Sequence, residues 1–376
     1  MTFASLGISR DLIKTLEKLN YEKPYPIQEK AIPSILEHKD VLAIAKTGSG
    51  KTASYVLPLL MNLEKPVTKK NRFIRSLILV PTRELAVQVK DVVKELSVDL
   101  KHPLKSVAVF GGVSINPQMK AMSGVDILIA TPGRLLDLMN SNAVHLSDVE
   151  YLILDEADKM LNLGFKEEMN NIFRLLPTRR QNLLFSATLK DDLNAITQII
   201  LRDPVVIKIE EENNLEIINQ LAYFVSDERK GPLLRHLIAD KGLKQVLVFV
   251  SSVFMADKVA HKLNKNGIQA TAIHSKKSQG ARTEALRKFK SGHLNVLVST
   301  DLLARGIDIA FLPCVINYEL PRSPKEYVHR IGRTGRAENP GEAFSFIEPD
   351  AEHHFKIIQK KMKKKVEMID SKNLNF

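Results

Sequence analysis

Residues 43–52, Ala-Ile-Ala-Lys-Thr-Gly-Ser-Gly-Lys-Thr, join the end of an apolar run to the start of a plausible helix. A buried strand that turns through small residues into a helix aims several backbone N–H groups at one point. The partial positive charge of the helix start adds to them, and a phosphate chain suits that point. Gly48 and Gly50 let the backbone come close without a Cβ in the way. Ala45, Lys46, Thr47, Gly48, Ser49 and Gly50 form the cradle. Lys51 can reach the β- and γ-phosphates, and the Thr52 hydroxyl is placed to ligate Mg²⁺. The plain alternative is a glycine-rich turn that binds nothing. The strand before it and the Lys-Thr pair after it favour a nucleoside triphosphate, although the usual spacing has glycine where this chain has Ala45.

A length of 376 residues suits two domains of ordinary size, and 44% hydrophobic residues are enough to fill both cores. With 55 Lys and Arg against 43 Asp and Glu, the net charge is +12. That balance favours a polyanion, nucleic acid first and an anionic membrane surface second. The single Cys314 excludes an internal disulfide and a thiolate metal cluster. Acidic and polar residues interrupt 1–14, which is therefore no signal peptide, and no apolar run approaches the length of a membrane span. A soluble, cytoplasmic protein is expected.

Short apolar runs alternate with helix-like segments along the chain, the pattern of parallel sheets covered on both faces. Strands are predicted near 41–45, 77–80, 107–110, 127–130, 151–154, 183–185 and 205–209. After the acidic stretch 210–214 they resume near 221–225, 246–250, 271–273, 296–299, 315–318 and 343–347. The expected division is a first α/β domain over 1–209, a linker over 210–217, a second domain over 218–350 and a basic amphipathic tail over 351–376. Ligands of such sheets bind at the carboxyl ends of strands. Asp155-Glu156-Ala157-Asp158 stands at one such end. There Asp155 can hold Mg²⁺ through water, opposite Thr52, and Glu156 can orient or deprotonate the attacking water. A helix cap explains one carboxylate, but not three in four residues beside a phosphate loop.

Asp-Glu-Ala-Asp together with the phosphate loop resembles the signature of the DEAD-box ATP-dependent RNA helicases, and the likeness runs in order from Phe3 to about Ile347. The stretch from Tyr21 to Gln28 resembles the family's adenine-reading segment, with Asn20 and Tyr25 where the family usually has glycine and threonine. Lys46 stands where it usually has glutamine. Pro81, Thr82 and Arg83, then Gly111 and Gly112, then Thr131, Pro132, Gly133 and Arg134 resemble its RNA-gripping segments. Ser186-Ala187-Thr188 resembles its coupling motif. Thr300, Arg305 and Asp308, with the run from His329 to Arg336, resemble the motifs of the second domain. The segments 110–118 and 277–283 further resemble the bacterial RhlE-type branch.

The resemblance implies two tandem RecA-like domains, each a mainly parallel sheet covered by helices. Gln28 would read the adenine edge and Tyr21 would stack on the base; a surface glutamine and a core aromatic are the plain alternatives. Asp308 would contact the ribose. Arg333 and Arg336 would be arginine fingers, reaching the γ-phosphate when the domains close. Arg330, Arg333 and Arg336 follow one another at three-residue spacing and would share a helical face. Asp158, Ser186, Thr188 and His329 would couple the ATP site to domain geometry, with helix capping an equal reading of Ser186 and Thr188. Gln279, Arg282, Thr300 and Arg305 would extend an RNA track that meets phosphates and sugars, with little sequence preference and strong salt dependence. The contact at Ser275, where the family has glycine, stays open.

In the tail, Phe355, Ile358, Met362, Val366 and Ile369 recur at helical spacing, and 351–376 carries a net +4. A docked helix with a solvated lysine face and an extra phosphate-binding patch are both open. The chain is thus expected to be an ATP- and Mg²⁺-using RNA helicase, monomeric and free of membranes. It would act on single strands or short duplexes, beside ribosome-assembly or RNA-decay proteins. An ATP-gated RNA clamp and a DNA translocase are the rival readings.

Overall fold

A computed structural model describes residues 1–45, 48–64, 71–188, 191–209, 217–300, 312–335 and 340–374. The chain divides into two compact units, Met1–Glu211 and Glu212–Phe376.

The first unit is a seven-stranded sheet of β1 (Val41–Ile44), β2 (Ser76–Leu79), β3 (Ser106–Val109), β4 (Ile127–Ala130), β5 (Tyr151–Leu154), β6 (Gln181–Ser186) and β7 (Val205–Lys208). Their spatial order is β3-β4-β2-β5-β6-β1-β7, and every pairing is parallel. Alternate side chains of each strand feed two cores. Val41, Ala43, Ile78, Ile129, Ile153 and Phe185 face one of them, with Leu12, Ile27, Tyr55 and Val89 from the covering helices. Leu42, Leu77, Leu79, Leu128, Leu154 and Leu184 face the other, with Leu138, Met160 and Ile172. Burial on both faces explains why the strands read as unbroken apolar runs.

The second unit repeats the plan with β8 (Ile218–Phe224), β9 (Val246–Val250), β10 (Ala270–Ile273), β11 (Val296–Thr300), β12 (Cys314–Asn317), β13 (Gly341–Ile347) and β14 (Glu367–Asp370). The order is β10-β11-β9-β12-β13-β8-β14, again all parallel. Cys314 is buried there, its thiol pushed up by burial, and serves packing.

Thirteen of the fourteen strands among the described residues coincide with the sequence expectation; β14 does not. The helix expected through 351–376 stops at Met362, where Lys363 takes a left-handed backbone (φ 55°). Beyond that point the chain turns extended, so Val366 and Ile369 are no part of that helix. Met368 and Ile369 register with Ala222 and Tyr223 on β8. Phe355, Ile358 and Val366 are buried with Tyr327, Ile331 and Ile347 in one core cluster. The basic segment therefore builds part of the second core. Phe355→Ala should cost about 3–5 kcal/mol, lowering the midpoint of urea unfolding of the second unit. An unchanged midpoint would mark the segment as an appendage.

Candidate nucleotide and RNA sites

Parallel register brings the ends of β5, β6 and β1 side by side. Leu154 pairs with Leu184, and Ile44 pairs with Ser186. The phosphate loop follows β1 and enters the helix Lys51–Leu63. Gly48 (φ 85°) and Gly50 (φ 86°) lie in the left-handed region that glycine tolerates. A Cβ on Gly50 would stand 2.6 Å from Gln28 Nε2 and 2.8 Å from Tyr25 Cδ2. Lys51 Nζ donates to the Ala45 carbonyl at 2.8 Å, folding the ammonium over the loop. Ser49 and Ala45 are buried. Lys46 and Thr47 lie outside the described residues.

Gln28 is 1% exposed and spans two partners. Its Nε2 donates to the Gly50 carbonyl at 3.2 Å, and its Oε1 accepts from the Tyr25 backbone N–H at 2.9 Å. An amide has two N–H groups and two acceptor lone pairs, so one of each remains for a base edge. Tyr21 is half-buried, edge-on to Phe3 with ring centroids 6.4 Å apart. Asn20 has φ 59°; asparagine is among the few side chains that accept this backbone, which explains how it replaces a glycine.

The acidic segment sits beside this loop. Asp155 Oδ2 accepts from the Tyr55 hydroxyl at 2.8 Å. Glu156 Oε1 accepts from Lys159 Nζ at 2.6 Å, and Asp158 Oδ2 accepts from the Thr188 hydroxyl at 3.0 Å. The second oxygen of each carboxylate, Asp155 Oδ1, Glu156 Oε2 and Asp158 Oδ1, is buried without a hydrogen-bond partner among the described residues. Glu156 also holds φ 54°, a left-handed backbone that costs a non-glycine residue about 1–2 kcal/mol. Thr188 thus makes the bond to Asp158 expected of the coupling motif. Ser186 bonds its own turn instead, donating to the Thr188 carbonyl at 2.9 Å, while its carbonyl accepts from Ala45 N–H at 3.0 Å.

Three open carboxylate oxygens and the Thr52 hydroxyl are hard donors, the type Mg²⁺ takes. Among the described residues no three His, Cys, Asp or Glu side chains gather as a metal site. An ion here would rest on Thr52, Asp155, water and phosphate, as Mg²⁺ commonly does.

The ends of β2, β3 and β4 gather the second group. Thr82 caps the helix Arg83–Leu96, its hydroxyl accepting from Leu85 N–H at 3.3 Å. Gly112 (φ 71°) lies against Arg83: a Cβ there would meet Nη2 at 1.8 Å. Arg134 Nη2 donates to the Val113 carbonyl at 2.9 Å, and its Nε to Asp137 at 3.2 Å. Arg83 thus packs on Gly112, and Arg134 holds the carbonyl of the residue after it. Pro81, Thr131 and Pro132 are buried, and Gly133 is half-buried.

In the second unit Gln279 opens the helix Gln279–Lys290, Arg282 Nη2 donates to its Oε1 at 2.5 Å, and Thr300 ends the neighbouring strand β11. Arg330 and Arg333 do not share a helical face. The helix Pro324–Ile331 ends before Arg333, and Arg330 turns into the core. There it donates to Asn317 Oδ1 at 3.1 Å and the Glu319 carbonyl at 2.7 Å and lies 4.9 Å from the centre of the Phe249 ring. Arg333 is buried just beyond the helix, and His329 is exposed on it. Arg305, Asp308 and Arg336 lie outside the described residues.

Residues 25–196 match the DEAD/DEAH box helicase family and residues 229–338 the helicase conserved C-terminal domain. The ATP-dependent RNA helicase CshA of Listeria monocytogenes is 38% identical over 371 residues, spanning 98% of this chain and 70% of that protein. The chain belongs to the DEAD-box ATP-dependent RNA helicase family. Another relative, the DEAD-box ATP-dependent RNA helicase CshA of Geobacillus kaustophilus, is 36% identical over all of this chain and 79% of its own. Among solved structures, S. cerevisiae Dbp5 bound to RNA and ADP BeF3 superposes with a TM-score of 0.84 at 30% identity, over 98% of this chain and 96% of that one. A DEAD box protein from Methanococcus jannaschii gives 0.55 at 37%, over 98% and 99%. The tandem RecA-like fold of this DEAD-box helicase stands with these. Its expected RhlE-type branch gains no support, since these bacterial relatives carry the CshA name.

Sequence reasoning missed three residues at these sites. Tyr55 and Lys159 each stand three positions after a singled-out residue, Thr52 and Glu156, the spacing that puts side chains on one helical face. Gln118 braces the glycine loop, accepting from Phe110 N–H at 2.9 Å and donating to the Phe110 and Ser114 carbonyls.

Burial pushes the Asp155 carboxyl up to about 6, with Glu156 adding to the rise and Lys51 opposing it. A folded-state value above the unfolded one, about 3.9, means that ionisation weakens the fold above pH 6. The penalty fades as pH falls through 6 and vanishes below 4. In EDTA and without nucleotide, Asp155→Asn should therefore melt higher than the parent at pH 7.5 by roughly 1–3 kcal/mol of stability. The gap should close by pH 4. A gap that does not change with pH would refute the assignment.

Proposed function

We propose that this helicase hydrolyses ATP on the edge formed by β1, β5 and β6 and grips RNA on the edge formed by β2, β3 and β4. The observation that carries the reading is the set of three half-open buried carboxylates, Asp155, Glu156 and Asp158, on the segment that follows β5. Lys51 would exchange its bond to the Ala45 carbonyl for the β- and γ-phosphates. Mg²⁺, held by Thr52 and Asp155 directly or through water, would supply positive charge to the phosphate oxygens as the leaving group departs. Glu156 offers Oε2 to the attacking water, while Lys159 holds Oε1 and so fixes which oxygen faces it. Gln28 and Tyr21 would receive the adenine, and Asp308 the ribose.

RNA would lie along Pro81, Thr82, Arg83, Gly111, Gly112, Thr131, Gly133 and Arg134, and continue over Gln279, Arg282, Thr300 and Arg305. Backbone N–H groups and arginines there suit phosphate and ribose, not base edges. Arg333 and Arg336 would complete the γ-phosphate site once ATP and RNA hold the two units together. The link from Ala45 through Ser186 and Thr188 to Asp158 supports coupling between nucleotide state and that closure. His329 would take part from the second unit. Release of phosphate would reopen the units and free short duplexes or remodelled complexes. The bacterial relatives support a CshA-type branch. Family likeness alone supports ribosome-assembly or RNA-decay partners and a monomer in the cytoplasm. Among the described residues, no helix is long and apolar enough to cross a membrane.

Glu156→Gln should keep ATP-dependent RNA binding, read by anisotropy of a labelled strand, and lose about 10²–10⁴-fold in turnover. Turnover at the parent's rate would remove Glu156 as the base.

A further inference from the structure

The second unit presents a solvated aromatic ring at the same sheet edge as its share of the proposed RNA track. Phe254 is 74% exposed, more than any other aromatic side chain among the described residues. A single exposed ring is ordinary on a protein surface; what distinguishes this one is its position. Val250 at the end of β9 pairs with Thr300 at the end of β11, and Ser299 pairs with Ile273 at the end of β10. Phe254 leaves that edge four residues after Val250, in the first turn of the helix Val253–Lys265. Ser252 caps this helix, its hydroxyl accepting from Met255 N–H at 3.1 Å. Ala256, Val259, Ala260 and Leu263 bury the opposite side of the helix in the core. Asp257, one turn on, shares the face of Phe254. Its carboxylate meets His274 Nε2 at 3.1 Å and Lys277 Nζ at 2.9 Å. The face that carries Phe254 is thereby tied to the turn that runs from β10 into Gln279.

Gln279, Arg282 and Thr300 suit phosphate and ribose, and a strand held there by its backbone still has its bases to place. An unpaired base has a bare π-face, and a solvated phenyl ring offers that face a partner. Proteins that hold single strands combine a basic track with aromatic platforms of this kind. Positive charge stands close by, with Lys276 exposed and Lys277 half-buried on the turn before Gln279. Ser251, Ser252, Asp257 and Lys258 around the ring are polar and exposed. Phe254 is therefore an isolated apolar spot, unlike the contiguous patch that a protein partner covers. We propose that Phe254 stacks on an unpaired base of RNA held along the β9–β11 edge, so that this unit grips single strands more tightly than duplexes. Within a duplex the bases cover one another, and only a terminal base is open to the ring. The proposal rests on the assignment of Gln279, Arg282 and Thr300 to RNA given above.

The test is anisotropy binding of three labelled ligands in the presence of Mg²⁺ and a non-hydrolysable ATP analogue: a short RNA of mixed sequence, an abasic ribose-phosphate strand of equal length and a blunt duplex. Phe254→Ala should lose about 10-fold in affinity for the base-bearing strand and bind the abasic strand and the duplex as the parent does. Phe254→Tyr keeps a flat ring and should match the parent, whereas Phe254→Leu should behave like Phe254→Ala. The salt dependence of binding should keep its slope, because no phosphate contact is lost. The double variant Gln279→Ala/Thr300→Ala should instead weaken the base-bearing and abasic strands alike. Parent-like RNA binding by Phe254→Ala, an equal loss on the abasic strand, or a Phe254→Leu that matches the parent would overturn the stack. Parent-like RNA binding joined to a loss of self-association in sedimentation would give the ring to a second copy of this chain. A Gln279→Ala/Thr300→Ala variant that binds both strands as the parent does would overturn the RNA assignment on which the proposal rests.

Discussion

Parallel pairing of β5, β6 and β1 in matched register is the constraint on which the proposed ATP site depends. The strands contribute few functional groups themselves; they bring three loops to the same height. Ile44 lies beside Ser186 and Leu154 beside Leu184, so the phosphate loop, the acidic segment and the coupling turn leave the sheet as neighbours. A slip of one residue in any pairing would turn the alternating side chains to the wrong core. It would also separate Asp158 from Thr188 and Ser186 from Ala45. The same aliphatic packing that stabilises the sheet therefore sets the geometry of its polar edge.

That edge is polar without being satisfied. An unpaired buried polar atom costs about 1–3 kcal/mol, and three carboxylates each leave one oxygen open. Glu156 adds backbone strain on the same turn. A structural ion network would close such gaps with further side chains, and a packed core would replace them with apolar groups. Here the closed half of each carboxylate is held by Tyr55, Lys159 or Thr188, while the other half is left open. Groups that are pinned on one side and open on the other are preorganised for a ligand, because no reorganisation is needed when charge arrives.

Most of this was legible in the sequence for a definite reason. Strands buried on both faces must be apolar throughout, so thirteen of them stand out between turn residues, and the motif residues follow as strand ends. What could not be read depended on local backbone state. The recurrence of Val366 and Ile369 at helical spacing was genuine, but Lys363 breaks the helix with a left-handed residue, so Val366 falls between helix and strand and Ile369 on β14. The spacing of Arg330 and Arg333 was likewise genuine, yet Ile331 ends the helix between them and Arg330 finds Asn317, Glu319 and Phe249 in the core. Residues such as Tyr55 escape notice because an aromatic in an apolar helix reads as packing. Its hydroxyl has meaning only once Asp155 is seen beside it.

The contrast between Arg330 and Arg333 shows how one short stretch would serve two ends under the proposed function. Arg330 spends its guanidinium on the interior of the second unit, anchoring the helix Pro324–Ile331 against β12 and the Phe249 ring. Gly332 ends that helix, and the Arg333 carbonyl accepts from Leu312 N–H at 3.1 Å, tying the next turn to the start of β12. Arg333, as the proposed arginine finger, would need such anchorage. Its long side chain loses up to about 2 kcal/mol of rotamer freedom when fixed, and a backbone held at both sides keeps that the only freedom to be lost. The buried arginine thus makes a rigid base for the one that follows it, which is why a run of like charges here can be structural and functional at once.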